Sequence, residues 1–416
     1  VSGSGEKPGR GITRRGLLGA GAAGGLAIAA GGGFTVGRAA ADEPAGTGTV
    51  PFYGEHQAGI ATPTQDRLHF AAFDLTTTDR SELRDLMREW TVAAERMSRG
   101  LPAGRESGNP LLPPEDTGEA IGLDPANLTV TVGFGPSLFD DRFGLAGKRP
   151  SALDPIPPLP GDELDPKTSD GDLCVQACAN DPQIAFHAVH NLTRIARGRA
   201  VMRWCQLGFG KTARTGADQA TPRNLMGFKD GTNNILGDDL AAMERSVWVG
   251  YEGPDWMRGG SYLVSRRIRM MVEIWDRTFL VDQERTFGRT RDSGAPLGKE
   301  EEFDRVDLEA TGPDGHPLIP ADAHIRLAGP GTNGGTRILR RGYSFTDGFD
   351  AERGQLDAGL FFICFQRDPH LQFVPLQTRL GRSDHLNEYI AHTSNGLFAV
   401  PAGIRGPGGY FGQGLV

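Results

Sequence analysis

The apolar positions of the chain switch repeatedly between a period of two and a period near 3.6, and each switch marks an element. Residues 68–75 (Leu-His-Phe-Ala-Ala-Phe-Asp-Leu) carry apolar side chains on both faces and predict a buried strand. After a turn, Leu83, Leu86, Met87 and Trp90 recur at three- and four-residue spacing, which predicts a helix over 81–97. Asp79 or Thr78 would cap it, and Glu82 lies in the first turn, where acid is favoured. Strands over 128–134 and 173–179, a helix opened by Asp181-Pro182 and running to about residue 197, and a strand over 200–209 follow. The order is β-α-β-β-α-β, that of a ferredoxin-like unit.

A similar order recurs: a strand over 261–270, a helix over 271–278, a strand pair at 337–345 and 360–365, a helix over 384–392 and a last strand over 396–400. The expected fold class is therefore α+β, two ferredoxin-like halves, each an antiparallel sheet with helices. The halves span 42–215 and 216–416, with the join near 210–225. Residues 102–125 and 155–166 are too rich in proline and glycine for regular structure and read as surface loops. Residues 279–323 lack periodicity, and a connection that long usually covers a site.

Residues 1–41 read as an address rather than as fold. Thr13-Arg14-Arg15-Gly16-Leu17-Leu18 is a twin-arginine pattern, followed by a Gly/Ala-rich apolar stretch over 19–36 and by Ala39-Ala40-Ala41, small residues suited to cleavage. The expectation is export of an already folded protein through the twin-arginine machinery, to the periplasm, the cell envelope or the outside. Composition changes the picture in two ways. A net charge of −8 without a basic run excludes nucleic acid as a partner. Cys174 and Cys178 lack further cysteines or histidines at zinc-site spacing and read as small core residues.

Three segments carry candidate chemistry. In Gly227-Phe228-Lys229-Asp230-Gly231-Thr232-Asn233-Asn234, glycines beside an acid let the backbone approach something flat while the Asp230 carboxylate faces it. In Ala323-His324-Ile325-Arg326-Leu327-Ala328, read as extended, His324 and Arg326 share a face, one suited to ligate heme iron and the other to pair with a propionate. In Leu339-Arg340-Arg341-Gly342, adjacent arginines on a strand point to opposite faces, so one can enter a buried site while the other pairs elsewhere. His187 and His190, three apart on a helix, offer a rival non-heme metal site without an evident acidic partner.

Together these segments resemble the dye-decolourising peroxidases, and more closely the twin-arginine-exported subgroup that includes the deferrochelatase/peroxidase of bacterial iron-uptake systems. The resemblance extends from about Phe52 to Gly414, through Gly171-Asp172-Leu173-Cys174, Gly260-Ser261-Tyr262-Leu263-Val264 and Gly354-Gln355-Leu356-Asp357-Ala358-Gly359. It implies heme b in the C-terminal half, with His324 as the iron ligand and Asp230 and Arg340 as the catalytic pair opposite. It also implies that Gly231, Thr232, Asn233, Gly329, Pro330 and Gly331 line the cofactor, that Arg326 meets a propionate, and that Leu360 and Phe362 lie beside the peroxide site. The implied substrates are hydrogen peroxide and a small-molecule reductant such as a dye or phenol. Iron-uptake proteins are candidate partners, and a homo-oligomer is expected. Tyr389, Trp256 and Tyr251 are candidate surface oxidation sites for bulky donors. A heme-handling protein that releases or ferries iron is the competing reading, and retention of both Asp230 and Arg340 speaks against it.

Overall fold

The computed structural model describes residues 48–105 and 108–416; the twin-arginine segment lies outside the described residues. The first half follows the predicted order: β1 (Arg67–Leu75), α1 (Arg80–Ser98), β2 (Thr129–Phe134), β3 (Leu173–Ala179), α2 (Pro182–Ile195) and β4 (Ala200–Lys211). Asp79 caps α1 by accepting from the Ser81 N–H at 2.7 Å, and Asp181 caps α2. Leu83, Leu86, Met87 and Trp90 are all buried, as their spacing predicts, and each contributes roughly 1.5–3 kcal/mol of burial. Trp90 spends its indole N–H on the Leu192 carbonyl of α2 at 2.9 Å.

The second half departs from expectation. It comprises α3 (Leu240–Ser246), β5 (Ser261–Met270), α4 (Val272–Trp275), α5 (Leu280–Phe287), α6 (His324–Ala328), β6 (Leu339–Arg340), β7 (Tyr343–Asp350), β8 (Gln355–Gln366), α7 (Phe373–Ser383) and β9 (Ile390–Val400). The helix placed over 384–392 is instead α7, which begins eleven residues earlier, and 390–400 is a strand paired with β5 along its length. Pro375 disguises α7; it stands in the first turn, where its missing N–H costs nothing. The strand expected over 337–345 breaks after Arg340 and resumes at Tyr343. The predicted helix over 271–278 shrinks to one turn, α4.

Among the described residues the strands form one antiparallel sheet in the order β5-β9-β2-β3-β1-β4-β7-β8, closed into a barrel by β5–β8 pairing, with β6 beside β8. Each half thus contributes four neighbouring strands, β2-β3-β1-β4 and β9-β5-β8-β7, whose outer edges would otherwise present unpaired N–H and C=O groups. The seams are short: Phe134 with Ala399 on one side, and Phe209 with Ser344 and Lys211 with Tyr343 on the other.

Side-chain alternation sorts the core. Phe70, Cys174, Cys178, Trp204, Leu263, Tyr343, Phe361 and Phe398 fill the barrel, and Met243, Val247 and Trp248 around α3 pack into the same cluster. A second cluster lies between the strands and α1 and α2. A third, with Met226, Phe228, Met270, Trp275, Phe287 and Tyr389, supports the candidate site. No helix among the described residues is long and apolar enough to cross a membrane.

Candidate functional site

A cavity of about 1110 Å³ borders β5 and β8, on the side of Ile268, Met270, Leu360 and Phe362. That is at the upper end for small-molecule sites, roughly 300–1,000 Å³. Three segments distant in sequence bring polar groups to it.

The first is the loop between β4 and α3. The Asp230 N–H donates to the Pro222 carbonyl at 2.9 Å, and the Asn224 side-chain oxygen accepts from the Met226 and Phe228 amides. Phe228 anchors the loop, its ring stacked 4.2 Å from that of Phe287. Gly231 has φ +95°, and a Cβ there would sit 2.9 Å from the Ala213 Cα, so only glycine lets the chain turn beside Asp230.

The second is β6, which carries Arg340. One of its guanidinium nitrogens meets Asp230 Oδ1 at 2.7 Å. Asn234 fixes that meeting: its Oδ1 accepts from the Arg340 N–H, and its Nδ2 donates to the Arg340 and Arg214 carbonyls, each at 2.8 Å. Arg341 points the other way, as alternation requires, and is fully buried against Gln65 and the Thr62 carbonyl.

The third is α6. His324 is not in an extended segment but opens a five-residue helix, so it and Arg326 do not share a face. Its Nδ1 bonds Asp384 Oδ2 at 2.6 Å, which leaves Nε2 as the nitrogen available to the cavity. Burial pushes the imidazole pKa down, but the Asp384 charge and hydrogen bond outweigh it and hold the value above the ordinary one; Asp230 adds to the rise and Arg340 opposes it.

The sequence-predicted residues Asp230, Gly231, Thr232, Asn233, His324, Gly329, Pro330, Gly331, Arg340, Leu360 and Phe362 all border this cavity. Arg326 does not. Its guanidinium is spent on the Leu308, Ile319 and Pro320 carbonyls, where it ties down the long connection before α6. Arg266, Arg289, Lys299, Arg305 and Arg337 border the cavity instead. His187 and His190 do have acidic partners, Asp116 and Glu119 from the 102–125 loop, which they fasten to α2. No cluster of three or more metal-ligating side chains occurs among the described residues. Tyr389 is buried against Trp275, Trp256 is half-buried, and Tyr251 lies open beneath Arg258.

Two family models account for most of the chain: "Dyp-type peroxidase, N-terminal" matches residues 57–210 and "Dyp-type peroxidase, C-terminal" matches residues 221–405. The chain belongs to the Dyp-type peroxidase family. It is 41% identical over 372 residues to the deferrochelatase of Escherichia coli (strain K12), covering 88% of this chain and 87% of that protein. Among solved structures, ferric DtpA from Streptomyces lividans shares 43% identity with a TM-score of 0.82, covering 90% of this chain and 99% of that one. A Dyp-type peroxidase from Cellulomonas bogoriensis shares 42% with a TM-score of 0.80, covering 89% and 99%. As a Dyp-type peroxidase the protein is an oxidoreductase that uses heme, with hydrogen peroxide and a reductant as substrates.

The cavity fits that cofactor. It offers one imidazole nitrogen oriented by a buried carboxylate, apolar walls from Ile268, Leu360 and Phe362, and cationic side chains for carboxylate groups. Sequence reasoning missed Asp384, Asn234 and Glu302. Asp384 carried a signal, since an Asp before an expected helix is a cap, and it does cap the turn at Leu386. Glu302, buried in the aperiodic connection, binds Lys229 and Thr232 on either side of Asp230 and carried none.

Proposed function

We propose that His324, through Nε2, would hold the iron of a heme seated in the C-terminal half, and that Asp230 and Arg340 act on peroxide in the same cavity. The observation that carries this reading is the pairing of two units on one cavity: His324 with Asp384, and Asp230 with Arg340. When bound, the heme would supply the redox chemistry by which the O–O bond of peroxide is broken.

The protein's own groups divide the remaining work. Asp384 holds the His324 tautomer with the proton on Nδ1 and makes Nε2 a stronger donor. Arg340 occupies one nitrogen with Asp230 Oδ1, leaving its other N–H groups to stabilise negative charge on a departing oxygen. Asp230 Oδ2 has only a 3.4 Å contact from the Asn224 side-chain amide, so it is the oxygen free to take a proton from one peroxide oxygen and return it to the other. Arg289 and Arg337, which border the cavity, take the place of Arg326 as partners for the heme carboxylates, Arg266 being committed to Asp162. The four-strand order of each half supports two ferredoxin-like units, 42–215 and 216–416. Thr13–Leu18 supports twin-arginine export, and hence work in the periplasm or cell envelope.

The test is the absorption spectrum of the heme-loaded protein before and after one equivalent of hydrogen peroxide. A ferric Soret band that shifts rapidly is the expected result. A Soret band that ignores peroxide overturns the peroxide roles of Asp230 and Arg340. The relatives named deferrochelatase favour a second reading, release of iron from heme, which predicts iron-free porphyrin among the products.

A further inference from the structure

A second cavity, of about 350 Å³, lies at the end of the barrel away from α3, and neither the heme site nor the family assignment uses it. Its floor is aromatic: Trp204 and Phe361, ring centres 6.2 Å apart. Its rim carries Asp165, Asp347 and Asp357; Arg267 is the guanidinium that lines it, and Arg269, shared with Asp350, reaches Asp357 at 3.8 Å. Arg267 is already committed, bonded to Gln206 Oε1 at 3.0 Å, paired with Asp347 and Asp357 at 2.8 Å each, and laid 4.1 Å over the Phe345 ring. The balance of charge facing the opening is therefore negative. One further group lacks an explanation within the protein. Ser394 is 1% exposed, lines this cavity, and its hydroxyl has no hydrogen-bond partner among the described residues. A buried hydroxyl without a partner is costly, and a polar occupant would recover that cost.

We infer that this barrel mouth, with Trp204 and Phe361 as floor, Ser394 as hydrogen-bonding group and Asp165, Asp347 and Asp357 at the rim, binds a cationic phenol or aromatic amine as electron donor. The ring packs on the exposed edge of Trp204, which Phe361 backs from beneath, its hydroxyl or amine meets Ser394, and its positive end faces the carboxylates. Barrel mouths are recurrent ligand sites for the same geometric reason. The place of the cavity gives it a role in the reaction. Phe361 lies between Leu360 and Phe362 on β8, and those two border the heme cavity, so a single strand separates donor from heme. Each donor gives up one electron and the proton of its O–H or N–H bond. Two donors together supply the two electrons and two protons with which one hydrogen peroxide becomes two waters. This inference rests on the peroxidase reading.

Tyramine, a phenol with an ammonium group, is the probe, and 3-(4-hydroxyphenyl)propionate, the same ring with a carboxylate, is its control. Both are titrated calorimetrically into the heme-loaded protein without peroxide, and into Asp357→Asn and Thr168→Trp. The second variant fills the rim without removing a partner of Arg267. Tyramine is expected to bind at least about tenfold more tightly than the anionic phenol, and each variant to weaken it by about tenfold or more. The kcat/KM for tyramine oxidation should fall in the same proportion, while the Soret response to peroxide alone stays as in the parent. Equal affinity for the two phenols, or tyramine affinity untouched in both variants, overturns the site. Affinity lost with tyramine oxidation unchanged overturns its role as donor entry. A parent protein that binds tyramine here but ignores peroxide would leave the site standing and remove the peroxidase reading beneath its role.

Discussion

Asn234 is the residue whose removal tests most directly how the Asp230–Arg340 pair is held. Its side chain makes three hydrogen bonds of 2.8 Å, two to the Arg340 backbone and one to the Arg214 carbonyl, and it is 6% exposed. At roughly 1 kcal/mol net per bond, Asn234→Ala should cost about 3 kcal/mol, since the Arg340 N–H and both carbonyls lose their partner at a buried position. With a urea m-value of roughly 3 kcal/mol/M, the midpoint of the heme-loaded protein falls by about 1 M at fixed heme concentration and unchanged m. Arg340 then no longer has a set position relative to Asp230, and displacement by an ångström is enough to slow the reaction with peroxide by roughly 10²-fold in stopped flow. Asn234→Asp should not rescue either property. It keeps an acceptor for the Arg340 N–H but turns an oxygen toward two carbonyls. A midpoint equal to the parent's would show that Asn234 is no clamp. A lowered midpoint with the peroxide rate intact would show that the clamp does not set the Asp230–Arg340 geometry.

Other expectations follow from the same contacts. Asp230→Ala and Arg340→Leu should keep the Soret band yet react with peroxide roughly 10²–10³-fold more slowly; unaltered rates in both would end the assigned roles. His324→Ala should lose heme on gel filtration, and Asp384→Asn should weaken heme retention by roughly 10–100-fold, measured by transfer to apomyoglobin. His69 is buried with both ring nitrogens unpartnered, and burial lowers its pKa to about 4 from 6.5. Between those values the unfolded chain binds a proton that the folded protein refuses, so stability falls with pH by up to roughly 1.4 kcal/mol per unit. His69→Leu should flatten the urea midpoint between pH 6.5 and 4, and an unchanged slope would place the acid sensitivity elsewhere.

What could be read from the sequence divides along the range of the forces involved. Every strand of the first half announced itself through local periodicity, and α1 and α2 through their caps. The second half hid α7 behind Pro375, and hid the start of β9 behind polar residues, Thr393 to Asn395, of which Ser394 and Asn395 are buried. α6 is five residues long, too short to show a helical period, so His324 and Arg326 read as sharing a strand face, whereas the Arg326 guanidinium turns to backbone carbonyls away from the cavity. Asp230, His324 and Arg340 were legible because each stands in a distinctive local motif. Asp384 lies 60 residues from the ring it orients, and Glu302 lies 70 from Thr232; nothing local marks such pairings. Barrel closure escaped for the same reason, being decided by a handful of seam pairs between the halves.

The closure matters for chemistry because β5 and β8 serve two cavities with alternate residues. Arg266 and Ile268 on β5 and Leu360 and Phe362 on β8 face the large cavity, whereas Arg267 and Phe361 border the barrel mouth. A one-residue slip between these strands would exchange the two sets wholesale. Gly359 guards the register: it pairs with Arg269, and a Cβ on it would fall 2.0 Å from the Ile268 carbonyl oxygen. No other residue permits that approach, and the stretch from Leu360 to Phe362 follows at once. The face of β8 that walls the large cavity is thereby fixed relative to the face that floors the barrel mouth. A change at Gly359 would accordingly disturb peroxide chemistry and donor binding together, whereas substitutions at Asp230 or at Thr168 should separate them.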